Sequence, residues 1–460
     1  MSEAFDVVVI GAGPAGENAA GRCASGGLSV ALVESELVGG ECSYWGCIPS
    51  KTLLRPGDAL AAARRVPGAA EAVTGPVHVA AALAWRGAMT GGWSDEGQLG
   101  WLRERGIRLI RGHGRLAGER AAEVEHDDGS RSRLEARRAV VVATGSRALI
   151  PPIPGLREIQ PWDNRDVTEV KDVPRRLLVL GGGAIGCEMA QALRRLGCEQ
   201  VMIIEALERL LAQEEPFAGV QVREAFEAEG IIVLTGTRMA AARREPGGVV
   251  AALEDGRELT GDELLVAVGR RPTTGDLGLD TVGLEPGQYL PVDDRLRVSG
   301  HDWLYAVGDC NGRSLLTHMG KYQARLAGDM ILGRDVAGLP DEVPVPRVTF
   351  TDPQVAAVGL TEAQARDRGL DVVTVEYPTS GVAGASTLGK RSVGVSRLVI
   401  HDGVIVGATF TGPGPGVAEL LHSATIAIVG AVPMSRLWHA VPSFPTVSEV
   451  WLRLLEAYGL

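Results

Sequence analysis

One ordered unit restricts the fold of this chain more than any other feature: a strand, a glycine-rich turn, a helix, and a second strand closed by an acid. Asp6-Val7-Val8-Val9-Ile10 is a β-branched run that reads as a buried parallel strand. Gly11, Gly13 and Gly16 follow in G-x-G-x-x-G spacing, ahead of the helix-compatible Asn18-Ala19-Ala20. The first glycine permits the tight turn and the second lets backbone approach a pyrophosphate. The third lets the helix pack close to the strand, with its N-terminus aimed at the phosphates. A strand over residues 28–33 ends in Glu34, placed to accept a hydrogen bond from a ribose hydroxyl. A glycine triplet alone is weak; the whole series in order is specific. The series then returns: a strand over 176–180, Gly181, Gly183 and Gly186, a helix through Leu196, and a strand over 200–204 closed by Glu205. This is an internal duplication of domain size.

Between the two units, residues 39–51 run Gly-Gly-Glu-Cys-Ser-Tyr-Trp-Gly-Cys-Ile-Pro-Ser-Lys. Cys42 and Cys47 precede an apolar, helix-compatible run, with Pro49 where a first helical turn tolerates proline. A thiol at a helix N-terminus meets the positive end of the peptide dipoles, which favours thiolate. One turn of helix also brings two such sulfurs within bonding reach. Taken alone, the pair fits a redox couple, half of a metal site, or two inert buried thiols. With two dinucleotide units around it, the pattern points to electrons passing from nicotinamide to flavin to disulfide. The other reading is two separate nucleotide-binding domains with incidental thiols.

At 460 residues the chain has room for roughly two to four domains. A net charge of −11 argues against nucleic acid as a partner. Six cysteines are too few and too scattered for a disulfide-stapled secreted scaffold. The acidic N-terminus leads straight into a strand and does not resemble a signal peptide. No uninterrupted apolar stretch of about 20 residues occurs; the nearest, 424–437, is broken by Pro433. The expectation is a cytoplasmic protein with no membrane partner. Residues 53–105 read as helical, with Trp85, Trp93 and Trp101 as packing residues, and Pro151, Pro152, Pro154 and Gly155 mark a domain crossing. Residues 304–310 form another strand ending in a glycine and an acid. From about residue 345 strands and turns precede a helix over 417–428, an α+β unit without a nucleotide signature.

With these motifs in place the chain resembles the flavin-dependent pyridine nucleotide–disulfide oxidoreductases, in particular the dihydrolipoamide dehydrogenase/mercuric reductase group. The resemblance covers nearly the whole length. It rests on Gly11 to Gly16, Cys42 to Lys51, Ala143-Thr144-Gly145, Gly181 to Glu188, Gly269-Arg270-Arg271-Pro272, Ala306 to Asp309, and Phe350-Thr351-Asp352-Pro353. It implies an α/β fold with two Rossmann-like domains and a C-terminal α+β dimerisation domain. The implied divisions are 1–152 with 271–340 for FAD, 153–270 for the nicotinamide nucleotide, and 341–460 for the interface of a homodimer. It implies FAD held by Gly11, Gly13, Gly16, Glu34, Lys51, Gly114, Thr144, Gly145 and Asp309, and nicotinamide nucleotide held by Gly181, Gly183, Gly186, Glu205 and Gly269. Cys47 matches the sulfur beside the flavin and Cys42 the interchange sulfur. Lys51 and Glu188 match an ion pair near the flavin's reactive nitrogen, where a cation favours the reduced ring. His318 falls in a segment near the ring, with a structural role. Glu205 favours NADH over NADPH by repelling a 2′-phosphate, an exclusion that Arg209 softens.

One position departs from the resemblance. Members acting on thiols place a histidine before Pro-Thr, with a glutamate five residues on. Here Glu449 is present and Phe444 replaces the histidine. Phenylalanine moves no proton, so an acid–base contribution of about 10²–10⁴-fold is missing there. His439, five residues earlier, has two readings, structural or substitute proton carrier. The last residues, 451–460, lack the cysteine pair that would pass mercury on. Phe444 beside Tyr44 and Trp45 suggests a pocket for a flat or hydrophobic substrate, or for one whose thiol leaves without a proton. The resulting expectation is a homodimer passing hydride from NADH to FAD to the Cys42–Cys47 disulfide, and on to a small disulfide, or the reverse with a dithiol. A diaphorase reducing a quinone or metal complex from flavin, and an electron-transfer subunit of a complex, are the alternatives. No metal ligand set is expected.

Overall fold

In the strand Ser2–Ile10, Val7 and Val9 point into one apolar cluster while Val8 and Ile10 point into another, the two-residue period of an extended chain. Neighbouring strands do the same: Val30 and Leu32 against Ala31 and Val33, and Ala139 and Val141 against Val140 and Val142. Both faces are therefore covered, which is why these strands are continuously apolar rather than alternating. The computed structural model describes residues 2–340, 344–390, 393–414 and 416–460. Residues 1 and 341, where the FAD-binding and interface domains are expected to begin, lie outside the described residues.

Two compact units are present. The first comprises Met1–Pro49, Gly87–Leu149 and Gly269–Val343. Its sheet runs Arg108–Arg111, Val30–Glu34, Ser2–Ile10, Arg131–Val142, Ala121–Glu125, His113–Leu116, with Leu304–Ala306 also pairing Arg131–Val142. The helix Pro14–Ser25 packs on this sheet through Ala19, Ala20 and Cys23, and lies against the helix Thr317–Ile331. Gly11 turns with φ +98°, where a Cβ would meet Ala143 O at 2.5 Å. A Cβ on Gly16 would meet Gly11 O at 1.8 Å, so only glycine lets the helix start this close to the strand.

The second unit comprises Ser50–Arg86, Ile150–Val268 and Pro344–Leu460. Its parallel sheet runs Ile231–Leu234, Gln200–Ile204, Arg176–Leu180, Glu263–Val266. Leu177, Val179, Val201 and Ile203 face the cluster shared with the helices Ala184–Arg195 and Pro216–Ala228. Leu178, Leu180, Met202 and Ile204 share the opposite cluster with Val249, Ala251 and Leu253 of an antiparallel three-stranded sheet. The C-terminal part is a five-stranded antiparallel sheet, covered by the helices Gly416–Val429 and Val450–Tyr458. Ile426 and Val429 on the first of these helices, with Trp438, Val441 and Phe444 beyond it, stay exposed on this chain.

Two expectations change. Trp101 packs against the first unit's core, and Trp93 donates its Nε1 hydrogen to Tyr44 O at 3.2 Å, but Trp85 is exposed. Tyr44 and Trp45 are buried, ring centroids 5.7 Å apart, and Tyr44 Oη donates to Val38 O. They are core residues of their unit, not an open aromatic wall awaiting Phe444. Among the described residues no helix is long and apolar enough to cross a membrane.

Candidate active site

The first glycine loop leaves the N-terminus of Pro14–Ser25 without a side-chain cap, and a Cβ on Gly13 would meet open space. The first-turn N–H groups thus face outward, unspent, as a phosphate cradle requires. Glu34 is held at the end of its strand: Ala12 N donates to Oε2 at 2.7 Å and Glu36 N to Oε1 at 2.8 Å, and burial pushes its carboxyl up. Gly114 packs against the ends of the first two strands, where a Cβ would meet Val33 Cγ1 at 2.9 Å. Thr144 Oγ1 is buried with no hydrogen-bond partner among the described residues, and Gly145 turns beside it with φ +70°. Asp309 is reached by a polar relay: Arg270 Nε donates to Ser146 Oγ at 2.7 Å, and Ser146 Oγ to Asp309 Oδ2 at 2.5 Å. Burial raises Asp309. An uncapped helix start, an open Gly13 and an unsatisfied Thr144 hydroxyl together fit a bound dinucleotide.

The second loop repeats the arrangement. Gly183 caps Ala184–Arg195 without a side-chain bond, and a Cβ on Gly186 would meet Gly181 O at 2.0 Å. Gly182 N donates to Glu205 Oε2 at 2.5 Å and Leu207 N to Oε1 at 2.7 Å. Arg209 Nη2 donates to Ala212 O at 2.8 Å and Glu214 O at 3.4 Å, while its Nε is buried with no hydrogen-bond partner among the described residues. Gly269, with φ +145°, passes its carbonyl to Leu149 N.

The cysteines do not share one helical turn. Cys42 lies in the short helix Gly40–Tyr44 and Cys47 opens the 19-residue helix Cys47–Arg65. Between them the chain folds back at Gly46, where a Cβ would meet Glu41 O at 3.0 Å and Cys42 Cα at 3.3 Å. The fold-back brings the sulfurs together: the hydrogen bond with Cys47, then burial, push the Cys42 thiol up, against the downward pull of Thr317 and Lys321. Thr317 Oγ1 lies 3.3 Å from Cys47 Sγ. The remaining cysteines are buried, which raises each thiol, Cys23 and Cys310 to about 12. These four have no solvent access, whereas Cys42 and Cys47 are half-buried, so they are inert by comparison. Among the described residues no group of three or more His, Cys, Asp or Glu is placed to hold a metal.

Lys51, one turn into the cysteine helix, donates from Nζ to Glu188 Oε2 at 2.7 Å and lies 5.1 Å from the Phe350 ring centroid. Glu188 is 3% exposed, and its Oε1 accepts from Phe350 N at 2.9 Å. A carboxylate so buried needs such partners. At the C-terminus, Phe444 is 75% exposed and His439 is exposed. Glu449 is buried: Oε1 accepts from Arg453 Nη2 at 3.2 Å and Oε2 has no hydrogen-bond partner among the described residues. The exposed His318 lies beside Thr317. Thr317, Lys321, Glu17 and Ser146 carry no motif that sequence spacing alone would single out.

Comparison with known proteins gives the family. Residues 5–324 match the pyridine nucleotide-disulphide oxidoreductase profile, and residues 345–454 match that family's dimerisation domain. Dihydrolipoyl dehydrogenase from Thermus scotoductus is 33% identical over 98% of this chain and 97% of its own length. The Mycobacterium tuberculosis enzyme of that name is 33% identical over 97% and 96%. Among solved structures, LpdA from Mycobacterium tuberculosis matches with a TM-score of 0.87 at 26% identity, covering 100% of both chains. The Cu(II) complex of the flavoprotein disulfide reductase RclA from Escherichia coli matches in fold, with a TM-score of 0.87 at 24% identity over 99% of each chain. The chain belongs to the pyridine nucleotide-disulphide oxidoreductases, as a flavin-dependent enzyme that uses FAD and NAD(H).

Proposed function

We propose that the chain carries two electrons from NADH through FAD to a Cys42–Cys47 disulfide, and from the resulting dithiol to a small disulfide substrate, or runs the same steps backwards on a dithiol. One observation carries this reading: of the six cysteines, only Cys42 and Cys47 are paired at a helix N-terminus outside the full burial that silences the others. When bound, FAD supplies two-electron exchange between nicotinamide and sulfur. The Gly11–Gly16 loop would hold its pyrophosphate, Glu34 a ribose hydroxyl, and Thr144, Gly145 and Asp309 the remainder. By the family resemblance, Lys51, fixed by Glu188, would supply positive charge favouring the reduced form of the group. The overall exchange is NADH, a proton and the disulfide giving NAD⁺ and the dithiol. Cys42 thiolate then attacks one sulfur of the substrate and releases the first thiolate. Cys47 attacks the Cys42 sulfur of that mixed disulfide, releasing the second thiolate and restoring the ring of bonds. Alkylation with iodoacetamide after anaerobic NADH should label Cys42 and Cys47 and none of the other cysteines. Unlabelled sulfurs after full reduction by NADH would overturn the reading.

NADH is the preferred nucleotide in this proposal, because Glu205 is braced by two backbone donors and Arg209 is turned away to carbonyls. Glu205→Ala should cut the NADH-over-NADPH ratio of kcat/KM by about tenfold; an unchanged ratio would place the choice elsewhere. A homodimer is proposed from the dimerisation-domain match and from the exposed Ile426, Val429, Trp438, Val441 and Phe444. Light scattering should give twice the chain mass, and Ile426→Asp with Val429→Asp should give the monomer. Direct quinone reduction is a second reading, favoured by Phe444 standing where a proton carrier is expected.

A further inference from the structure

We propose that the groove walled by the helices Pro14–Ser25, Glu96–Glu104 and Thr317–Ile331 binds a small, flat organic anion, its charge held by Arg105 and Arg325 and its ring lying along Trp101. The cysteine pair takes no part in this site, which stands whichever way that pair works.

All three walls belong to the first unit, and the cavity between them measures about 410 Å³. Small-molecule sites span about 300–1,000 Å³. Arg22 comes from the first helix, Trp101 from the second with Arg105 just past its end, and Arg325 from the third. Trp101 lies against the first helix because residue 21 is glycine: a Cβ there would meet Trp101 Cζ2 at 3.1 Å and Cη2 at 3.2 Å. Arg105 carries its guanidinium over this indole, 4.6 Å from the ring centroid. That contact orients the head group without consuming its N–H donors. Among the described residues the Arg105 side chain makes no hydrogen bond or ion pair. Arg325 makes one long hydrogen bond, from Nη1 to Asn18 Oδ1 at 3.4 Å. Arg22 differs, since its Nε and Nη2 each donate to Asp329 at 2.8 Å and its charge is already balanced.

Charge decides the class of ligand. Glu17 is the one acid among the lining residues, and burial pushes its carboxyl up to about 7. It therefore offsets at most one of the two open guanidiniums, and less than one near neutral pH. In a chain of net charge −11 this is a local surplus of positive charge, which draws anions to a surface that otherwise repels them. A guanidinium fork offers a carboxylate two parallel N–H donors. The indole and the guanidinium plane on it add a stacking surface, so an anion with a ring gains what a bare ion does not.

Calorimetric titration of the FAD-loaded enzyme with 2-naphthoate, in excess NAD⁺ to occupy the nucleotide site, tests this. One probe should bind per chain. 2-Naphthamide has the ring without the charge, and acetate the charge without the ring; each should bind at least about tenfold more weakly. Arg105→Met and Arg325→Met should each weaken 2-naphthoate by about tenfold, and Ser25→Trp, which puts bulk into the groove, should abolish its binding. Retained flavin absorbance and circular dichroism show that each variant is folded. Equal affinity for 2-naphthoate and either control, a comparison that needs no variant, would overturn the proposal. Full affinity in the Arg105→Met/Arg325→Met double variant would overturn it as well. So would binding confined to FAD-free protein, which would place the probe in the flavin site.

Discussion

Cys42→Ser enzyme should lose disulfide turnover by about 10³-fold or more, while still reducing a quinone with NADH. The serine hydroxyl stays protonated and cannot attack a substrate sulfur, but hydride delivery to flavin does not pass through position 42. Steady-state rates with a disulfide and with a benzoquinone, measured on the same preparation, separate the two. Equal loss of both would show that the sulfur is needed before electrons leave the flavin, and would end the diaphorase reading. Cys47→Ser should lose the disulfide reaction as fully, since its thiolate closes the cycle.

Arg195→Met should lower the unfolding free energy by about 3–5 kcal/mol. Its guanidinium donates to Asp58 Oδ1 at 2.8 Å, to both oxygens of Glu229 at 2.6 and 2.9 Å, and to Asp352 Oδ2 at 3.0 Å. The Arg195 side chain is 12% exposed, so its removal takes the shared cation from three carboxylates in a poorly hydrated place, leaving Asp352 to Arg65 and Glu229 to Gln191. Burial outweighs Arg195 at Asp58 and pushes that carboxyl up to about 7. At Asp352 burial also works upward, but Arg195 and Arg65 hold it below its ordinary value. The two carboxyls therefore act oppositely on stability. The contribution of Asp58 is complete below its ordinary carboxylate range and is lost as pH rises through about 7; that of Asp352 is lost in acid. Asp58→Asn should flatten the decline between about pH 4 and 8 in urea unfolding followed by circular dichroism. An unchanged slope would show that Asp58 does not carry it.

That cluster also shows where sequence reading stops. The glycine loops were legible because each contains a local turn, Gly16 closing on Gly11 and Gly186 on Gly181, although Gly11 and Gly181 also pass against the distant Ala143 and Ala267. Cys42 and Cys47 were legible as a spacing, but the fold-back at Gly46 was not, because it depends on backbone contacts with Glu41 that no periodicity encodes. Lys51 and Glu188 came only with the resemblance, being far apart in the chain. Pro56-Gly57, a pair that disfavours helix, sits inside Cys47–Arg65. Gly57 is explained by Arg195, whose Cδ a Cβ there would meet at 2.7 Å. Tyr44 and Trp45 were misplaced for a related reason: aromatic residues beside a reactive pair suggest a pocket wall, and burial is a tertiary outcome. Thr317, Trp101 and Arg325 lie in ordinary helices, and only the packing of those helices gives them a chemical setting.

The account depends on electrons passing between flavin and the Cys42–Cys47 pair, and anaerobic titration of the FAD-loaded enzyme with NADH tests this most directly. The predicted result is a long-wavelength thiolate-to-flavin absorption band that appears as two electrons enter, and is absent from Cys47→Ser. Simple bleaching of the flavin by one equivalent of NADH, with no such band and no thiol uncovered, would contradict it.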